Sequence, residues 1–220
     1  NANIYCAIKK KDTGFSEFLE KYNRKSGSRA EIIVLDLSDG DHIKDSIKTL
    51  YEKKEKIDIL INNAGIADGA LFEMTSVKTM KDVFEINFFS QIQLTQLLLR
   101  FMKKSESACI INIGSVSGLT PERGTISYGS SKAALMFATK VMANELSRFN
   151  IRVNAIAPSL IKTDMLDQMD DKSINKILDQ SYSGTIGEAK DIADLVLYLV
   201  SDSARLINGQ IIRVDGGMRV

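Results

Sequence analysis

The chain has 220 residues, 44% of them hydrophobic and 26% charged, with a formal net charge of +1, which is the profile of one globular domain with a substantial core. That charge leaves no electrostatic footprint for nucleic acid or an anionic membrane surface, and no apolar run reaches membrane-spanning length. One histidine, His42, and two isolated cysteines, Cys6 and Cys109, speak against a metal site and against a disulfide framework. The cysteines lie in strand-like runs and are expected as buried reduced thiols, and His42 as an exposed residue at a helix start. With no signal-like apolar run at the N-terminus, the expected location is cytoplasmic.

Residues 3–8 read as a strand, cut off by Lys9, Lys10, Lys11 and Asp12. Phe15, Phe18, Leu19 and Tyr22 then recur at helical spacing until Ser26 and Gly27 end the helix. Residues 30–35 form the next strand, stopping at Asp36, and Ser38 or Asp39 can cap a helix carrying Ile43, Ile47, Leu50 and Tyr51. A third strand, 57–61, runs into Asn62, Asn63, Ala64 and Gly65. The segment from about 77 to 102 is strongly apolar and helical, although Asn87 inside it is a poor helix former. Strand 108–114 ends at Ser115, and a long helix from 128 to 148 follows a loop of twelve residues. Strand 153–157 closes at Pro158, residues 163–182 are polar without strand signals, and a helix over 189–201 and a strand over 210–214 finish the chain. Alternating strands and helices predict an α/β fold, a doubly wound parallel sheet in one domain.

Tyr128 and Lys132 stand four residues apart on one face of the long helix. A phenol titrates near about 10, and a fixed ammonium beside it is expected to lower that value, so that the tyrosine exchanges a proton with a carbonyl or alcohol oxygen near neutral pH. Ser115, at the carboxyl end of a strand, lies on the sheet edge where ligands collect in open parallel sheets. One element is missing from the pattern: no strand leads into a glycine-rich turn and helix, the arrangement that receives a pyrophosphate. Gly216 and Gly217 follow a strand but precede no helix.

Asn87, Ser115, Tyr128 and Lys132, with Asn62-Asn63-Ala64-Gly65 upstream, resemble the short-chain dehydrogenase/reductase family, and most of all its bacterial 3-oxoacyl-(acyl-carrier-protein) reductases. The resemblance covers the whole chain in order, and it implies a Rossmann-like sheet that this chain enters at the second strand. The family's first strand would lie between the strands ending at Ile8 and at Ile61, and its loss leaves strand edges unpaired on both sides. The expectation is a single catalytic domain over 1–220 that is N-terminally incomplete, with a substrate lid over about 163–187.

The same resemblance assigns roles. Ser115 orients the substrate carbonyl, Tyr128 delivers the proton, Lys132 tunes the tyrosine and binds the nicotinamide ribose, and the Asn87 backbone holds a relay water. Asp36 and Leu37 meet the adenine, Asn63, Ala64 and Gly65 the adenosine ribose, and Pro158, Ser159, Ile161 and Thr163 the nicotinamide end. Ser159 departs from the family's usual glycine, which requires a negative φ there. Lys9 and Lys10, where NAD enzymes carry an acid, favour the 2′-phosphate of NADPH over NADH. The implied activity is NADPH-dependent reduction of a 3-oxoacyl thioester on acyl-carrier protein. An NAD-dependent secondary-alcohol or sugar dehydrogenase and a silent scaffold subunit stand as alternatives. Apolar residues all round the helix over 77–102, together with Phe137, Met142 and Leu146 on the Tyr128 helix, exceed one buried stripe. With the strand near 210–220 as a second interface, the family's homotetramer is expected.

Overall fold

The computed structural model describes residues 2–53 and 55–218, with Gln168 described in its backbone only. Arg219 and Val220, at the end of the strand expected near 210–220, lie outside the described residues. Strand β1 (Ile4–Ile8) is followed by helix α1 (Thr13–Ser26), capped where the Asp12 carboxylate accepts the Phe15 N–H at 2.7 Å. Strand β2 (Ala30–Val34) lies parallel to β1, with Ile4 opposite Ala30. The single helix expected next is two short ones, α2 (Gly40–Ser46) and α3 (Lys48–Glu52), and Asp39 caps the first by accepting the N–H groups of Asp41 and His42.

Four further strands make a second parallel sheet in the order β3 (Ile59–Asn62), β4 (Ala108–Ile113), β5 (Ile151–Pro158) and β6 (Ile211–Val214). Its register sets Asn62 opposite Asn112 and Ile111 opposite Asn154. The helix expected over 77–102 is interrupted: α4 (Val77–Phe84) and α5 (Ser90–Met102) are joined by a π-helical turn, Glu85–Phe89. Helix α6 (Ile126–Leu146) carries Tyr128 and Lys132. The polar stretch after residue 163, read as free of strand signals, contains α7 (Asp171–Asp179), capped by Asp170, with Ile174, Ile177 and Leu178 at helical spacing. Helix α8 (Ala189–Val200) precedes β6.

Helices cover both faces, as the alternation requires. On one face Ile43, Ile47, Leu98, Phe101 and Met102 pack with Ile110 and Val153. On the other, Val196 and Leu199 pack with Cys109, Ile111 and Ile156. Strand β4 is buried along almost its whole length, which explains its near-continuous apolar sequence. Cys109 is buried as expected, whereas Cys6 is only half-buried, on a strand whose residues are all half-buried or exposed.

No ladder joins β1 to β3 among the described residues: the strands fall into a two-stranded and a four-stranded sheet. On β3, Ile59 is 42% and Ile61 45% exposed while the alternate residues Leu60 and Asn62 are buried. One face of this apolar strand is thus open.

Helix α6 sits hard against the 3₁₀ turn (Val116–Gly118) that follows Ser115, and Gly129 permits this: a Cβ there would stand 2.5 Å from the Ser117 carbonyl oxygen. Gly129→Ala is therefore expected to lower stability by about 1–3 kcal/mol, an overpacking cost that exceeds alanine's helix-propensity gain. Chemical denaturation of the two proteins checks it, and equal or higher stability in the variant would show that the turn yields without cost.

Candidate active site

Three elements meet at the carboxyl ends of β3 and β4. Ser115 leaves β4 in an extended conformation, is buried, and accepts the Ser117 N–H at 3.2 Å, which turns the chain into the 3₁₀ turn. Tyr128 stands in the first turn of α6 beside Ser115, and the Lys132 Nζ lies 5.9 Å from its ring centroid. Lys132 is only 3% exposed and donates to the Ile113 carbonyl at 2.7 Å. Gly65 faces it, and a Cβ there would stand 3.2 Å from both Lys132 Nζ and Asn87 Oδ1.

The π-turn explains Asn87. A turn with one extra residue redirects the helix face, and the Asn87 side chain, fully buried, spans two partners. Its Oδ1 accepts the Ile66 N–H at 2.8 Å, and its Nδ2 donates to the Ile66 carbonyl at 2.9 Å and to Ser131 Oγ at 3.0 Å. Ser131 in turn donates to the Tyr128 carbonyl. Neither Ser131 nor the Ile113 carbonyl was legible as a site member, since a serine in a helix and a backbone oxygen carry no distinctive sequence signal. Asn62 is a strand pin, donating to Asn112 Oδ1 at 2.8 Å and to Thr95 Oγ1 at 3.1 Å.

The electrostatics correct one expectation. Burial pushes the Tyr128 phenol up from 10.0, and the Ser115 hydroxyl pulls it down by less. The ammonium does not dominate, because it is itself taken out of water: burial lowers Lys132 from 10.5 to about 8. Tyr128 is accordingly a protonated hydroxyl at neutral pH, and Lys132 an ammonium that releases its proton readily.

The outer residues group in two places. Asp36 follows β2, where the Ser38 hydroxyl and N–H, and then Lys9, hold its carboxyl down at about 2. Lys9 lies 3.3 Å from that carboxylate, so the structure pairs two residues expected to serve the cofactor separately. Lys10 is exposed beside it. His42, expected as a plain exposed residue, is half-buried, and its Nδ1 accepts the Asp36 N–H at 3.0 Å because the imidazole folds back over its own helix cap. The Leu37 carbonyl accepts from Ser90 Oγ, while Asn63 and Ala64 lie exposed at the end of β3.

At the end expected to meet the nicotinamide, Ser159 follows Pro158 without a positive φ, so the departure from glycine carries no strain, and its N–H donates to the Val214 carbonyl. Ile161 pairs with Gly187 in a parallel bridge, Thr163 Oγ1 donates to the Ile161 carbonyl, and Ser181 pairs with Met218. These bridges close the base of the excursion over 163–187 at both ends.

Comparison with known proteins identifies the family. A family profile described as enoyl-(acyl carrier protein) reductase matches residues 2–219. The 3-oxoacyl-[acyl-carrier-protein] reductase of Thermotoga maritima is 35% identical over 185 residues, 84% of this chain and 75% of that protein. The chain belongs to the short-chain dehydrogenase/reductase family. Cyclopentanol dehydrogenase of Comamonas testosteroni is 32% identical over 218 residues, 98% of this chain and 86% of that one. The solved 4-hydroxyisoleucine dehydrogenase complexed with NADH superposes with a TM-score of 0.84 at 31% identity, covering 99% of this chain and 98% of that one. As a member of the short-chain dehydrogenase/reductase family, the protein is an NAD(P)-dependent oxidoreductase.

The depressed Lys132 value has a measurable consequence. The fold disfavours the charged form, so its cost is fully present below about pH 8 and disappears as pH rises from about 8 towards 10.5. Lys132→Met is expected to unfold about 2 kcal/mol less readily than wild type at pH 7, from the size of the shift less one lost hydrogen bond. The advantage should shrink steadily between about pH 8 and pH 10. A pH-independent difference in denaturation midpoints would mean that the ammonium is not desolvated.

Proposed function

We propose that the protein reduces the ketone of a 3-oxoacyl thioester carried on acyl-carrier protein, with NADPH as the reductant. The observation that carries this reading is the convergence of Ser115, Tyr128 and Lys132 at one sheet edge, with Tyr128 held as a neutral phenol. Ser115 and Tyr128 offer two hydroxyl donors to a carbonyl oxygen as negative charge develops on it. Tyr128 gives its proton to that oxygen, and the phenolate left behind is stabilised by Lys132, whose lowered value suits it to return a proton. Asn87 holds the start of the loop at Ile66 and, through Ser131, the first turn of α6.

A nicotinamide dinucleotide fits the residues present on both sides of the site. Asp36, Leu37, Asn63 and Ala64 offer backbone and polar atoms at the strand ends, and Gly65 keeps clear the space beside Lys132 that a side chain would fill. Pro158, Ser159, Ile161 and Thr163 line the opposite end, and 163–187 would close over the substrate. When bound, the reduced nicotinamide supplies the hydride. Lys10 and, through its share of charge not neutralised by Asp36, Lys9 favour a 2′-phosphate. The relatives named for 3-oxoacyl-[acyl-carrier-protein] reduction support the substrate class.

An NAD-dependent secondary-alcohol dehydrogenase is the second reading. The Lys9–Asp36 pair favours it, since an acid stands next to the charge meant for the phosphate, and so do the cyclopentanol dehydrogenase relative and the NADH-bound structure. Steady-state assays separate the readings: 3-oxoacyl thioester with NADPH is expected to turn over faster than the same substrate with NADH, a 2-enoyl thioester with NADPH, or cyclopentanol with NAD. Faster oxidation of the alcohol would replace the reductase reading. Tyr128→Phe should lower kcat at least about 100-fold with cofactor affinity unchanged. Retention of about a tenth of the wild-type rate, a loss smaller than acid–base groups contribute, would remove Tyr128 as the proton donor.

Assembly as a homotetramer belongs to the same proposal. Leu94, Leu97, Leu99 and Met142, part of the apolar surplus, pack on the protein's own core. Phe137 remains 70% exposed on α6, with Val141 one turn on, Phe89 in the π-turn, Phe72 and Met74 in a 3₁₀ turn before α4, and Val77 at its start. Exposed apolar area of this kind marks a partner surface, and a second patch, Leu197 and Tyr198 on α8 with Leu206 after it, supplies the other interface a dihedral tetramer needs. Light scattering should report about four times the 24.4 kDa chain mass. A monomer at micromolar concentration would leave both patches without this role.

A further inference from the structure

Helix α5 and the π-turn before it carry three polar residues at intervals of four: Asn87, Gln91 and Thr95. All three are buried. Each is bonded to a different residue of the run leaving β3, and those partners are two apart. Asn62 donates to Thr95 Oγ1 at 3.1 Å, Gln91 Nε2 donates to the Ala64 carbonyl at 2.6 Å, and Asn87 holds the Ile66 N–H and carbonyl at 2.8 and 2.9 Å. The match is geometric. Four residues of helix advance about 6 Å, and two residues of extended chain about 6.6 Å. A helix with polar residues every fourth position can therefore hold every second residue of an extended segment running the other way.

The middle rung is anomalous in its chemistry. Gln91 is 2% exposed, and its Oε1 is buried with no hydrogen-bond partner among the described residues. Its Nε2 has a second acceptor, the Ile86 carbonyl, at 3.4 Å. An unpaired buried oxygen disfavours the folded state. Ala64 is exposed, so water could serve its carbonyl without Gln91. A methionine would fill similar space with no polar atom to desolvate. Gln91 therefore leaves a buried oxygen unpaired while its Nε2 makes one bond to the loop.

We propose that Gln91 is a positioning residue for the cofactor loop, its amide holding the Ala64–Gly65 peptide at the height set by the flanking rungs at Asn62 and Ile66. This rests on the reading that residues 63–65 receive the cofactor. It acts through the loop and touches neither Tyr128 nor Lys132, so its loss should appear in cofactor binding and leave the chemical step alone.

The test compares wild type with Gln91→Met and Gln91→Glu, measuring NADPH and NADH Kd by cofactor fluorescence, steady-state KM and kcat, and Tm. Gln91→Met is expected to raise cofactor Kd and KM about five- to tenfold, the size of one hydrogen bond. Its kcat should stay within about twofold and its Tm be unchanged or higher. Gln91→Glu, which keeps the side-chain length and replaces the donor with an acceptor, should weaken cofactor at least as much. A Gln91→Met protein with lower Tm and a cofactor Kd equal to that of a binding wild type would make Gln91 a structural residue and overturn the proposal alone. A wild type that binds neither cofactor overturns it together with the reading of the loop.

Discussion

Taking the Lys132 ammonium out of water is the constraint around which the site is built. A charge at 3% exposure keeps a proton only with fixed acceptors around it. Here the Ile113 carbonyl at the end of β4 is the acceptor in reach, and the Tyr128 ring flanks the ammonium. Everything close to it is small or held. Gly65 has no side chain to collide with Nζ, and Asn87, which would otherwise be free to compete, has both ends of its amide engaged by Ile66 and Ser131. The same burial accounts for the two pKa displacements. The phenol rises because its anion would be desolvated, and the ammonium falls for the mirror-image reason. A neutral donor and a reluctant cation side by side suit proton delivery to a carbonyl oxygen.

The regions read as adenosine-binding stand on two different ladders. Asp36 and Leu37 follow β2, in the two-stranded sheet, whereas Asn63, Ala64 and Gly65 follow β3, in the four-stranded one. No strand pairing joins them among the described residues. What links them is helix packing. Ile43 of α2, Ile47 between the two helices and Leu50 of α3 share one core with Leu98, Phe101 and Met102 of α5, and Ser90 and Gln93 of α5 donate to the Leu37 and Gly40 carbonyls. Helix α5 also holds the β3 loop, through Gln91. It is the common wall for both halves, so a shift of this helix moves both turns together. The π-turn at its start lets one face carry the Asn87, Ser90 and Gln91 contacts at once.

The amino-acid sequence by itself determined the order and type of nearly every element, because buried parallel strands such as 108–113 and helices such as α6 have unmistakable apolar patterns. It also brought out Ser115, Tyr128 and Lys132, whose residue types at a strand end and four apart on a helix have few other joint uses, and it marked Asn87 as a local misfit. Tertiary structure alone decided four matters. Helix α7 went unread because its short apolar face is diluted by charge. The Lys9–Asp36 pair joins side chains distant in sequence that meet only when β1 and β2 are assembled, and the bond from the Asp36 N–H to His42 depends on how α2 turns back towards the end of β2. The sign of the Tyr128 shift depended on how deeply the pair is buried, and spacing along a helix carries no measure of depth. The polar rungs along α5 acquired meaning only from the strand run opposite them, since a fourfold spacing of Asn, Gln and Thr acts only through what it faces.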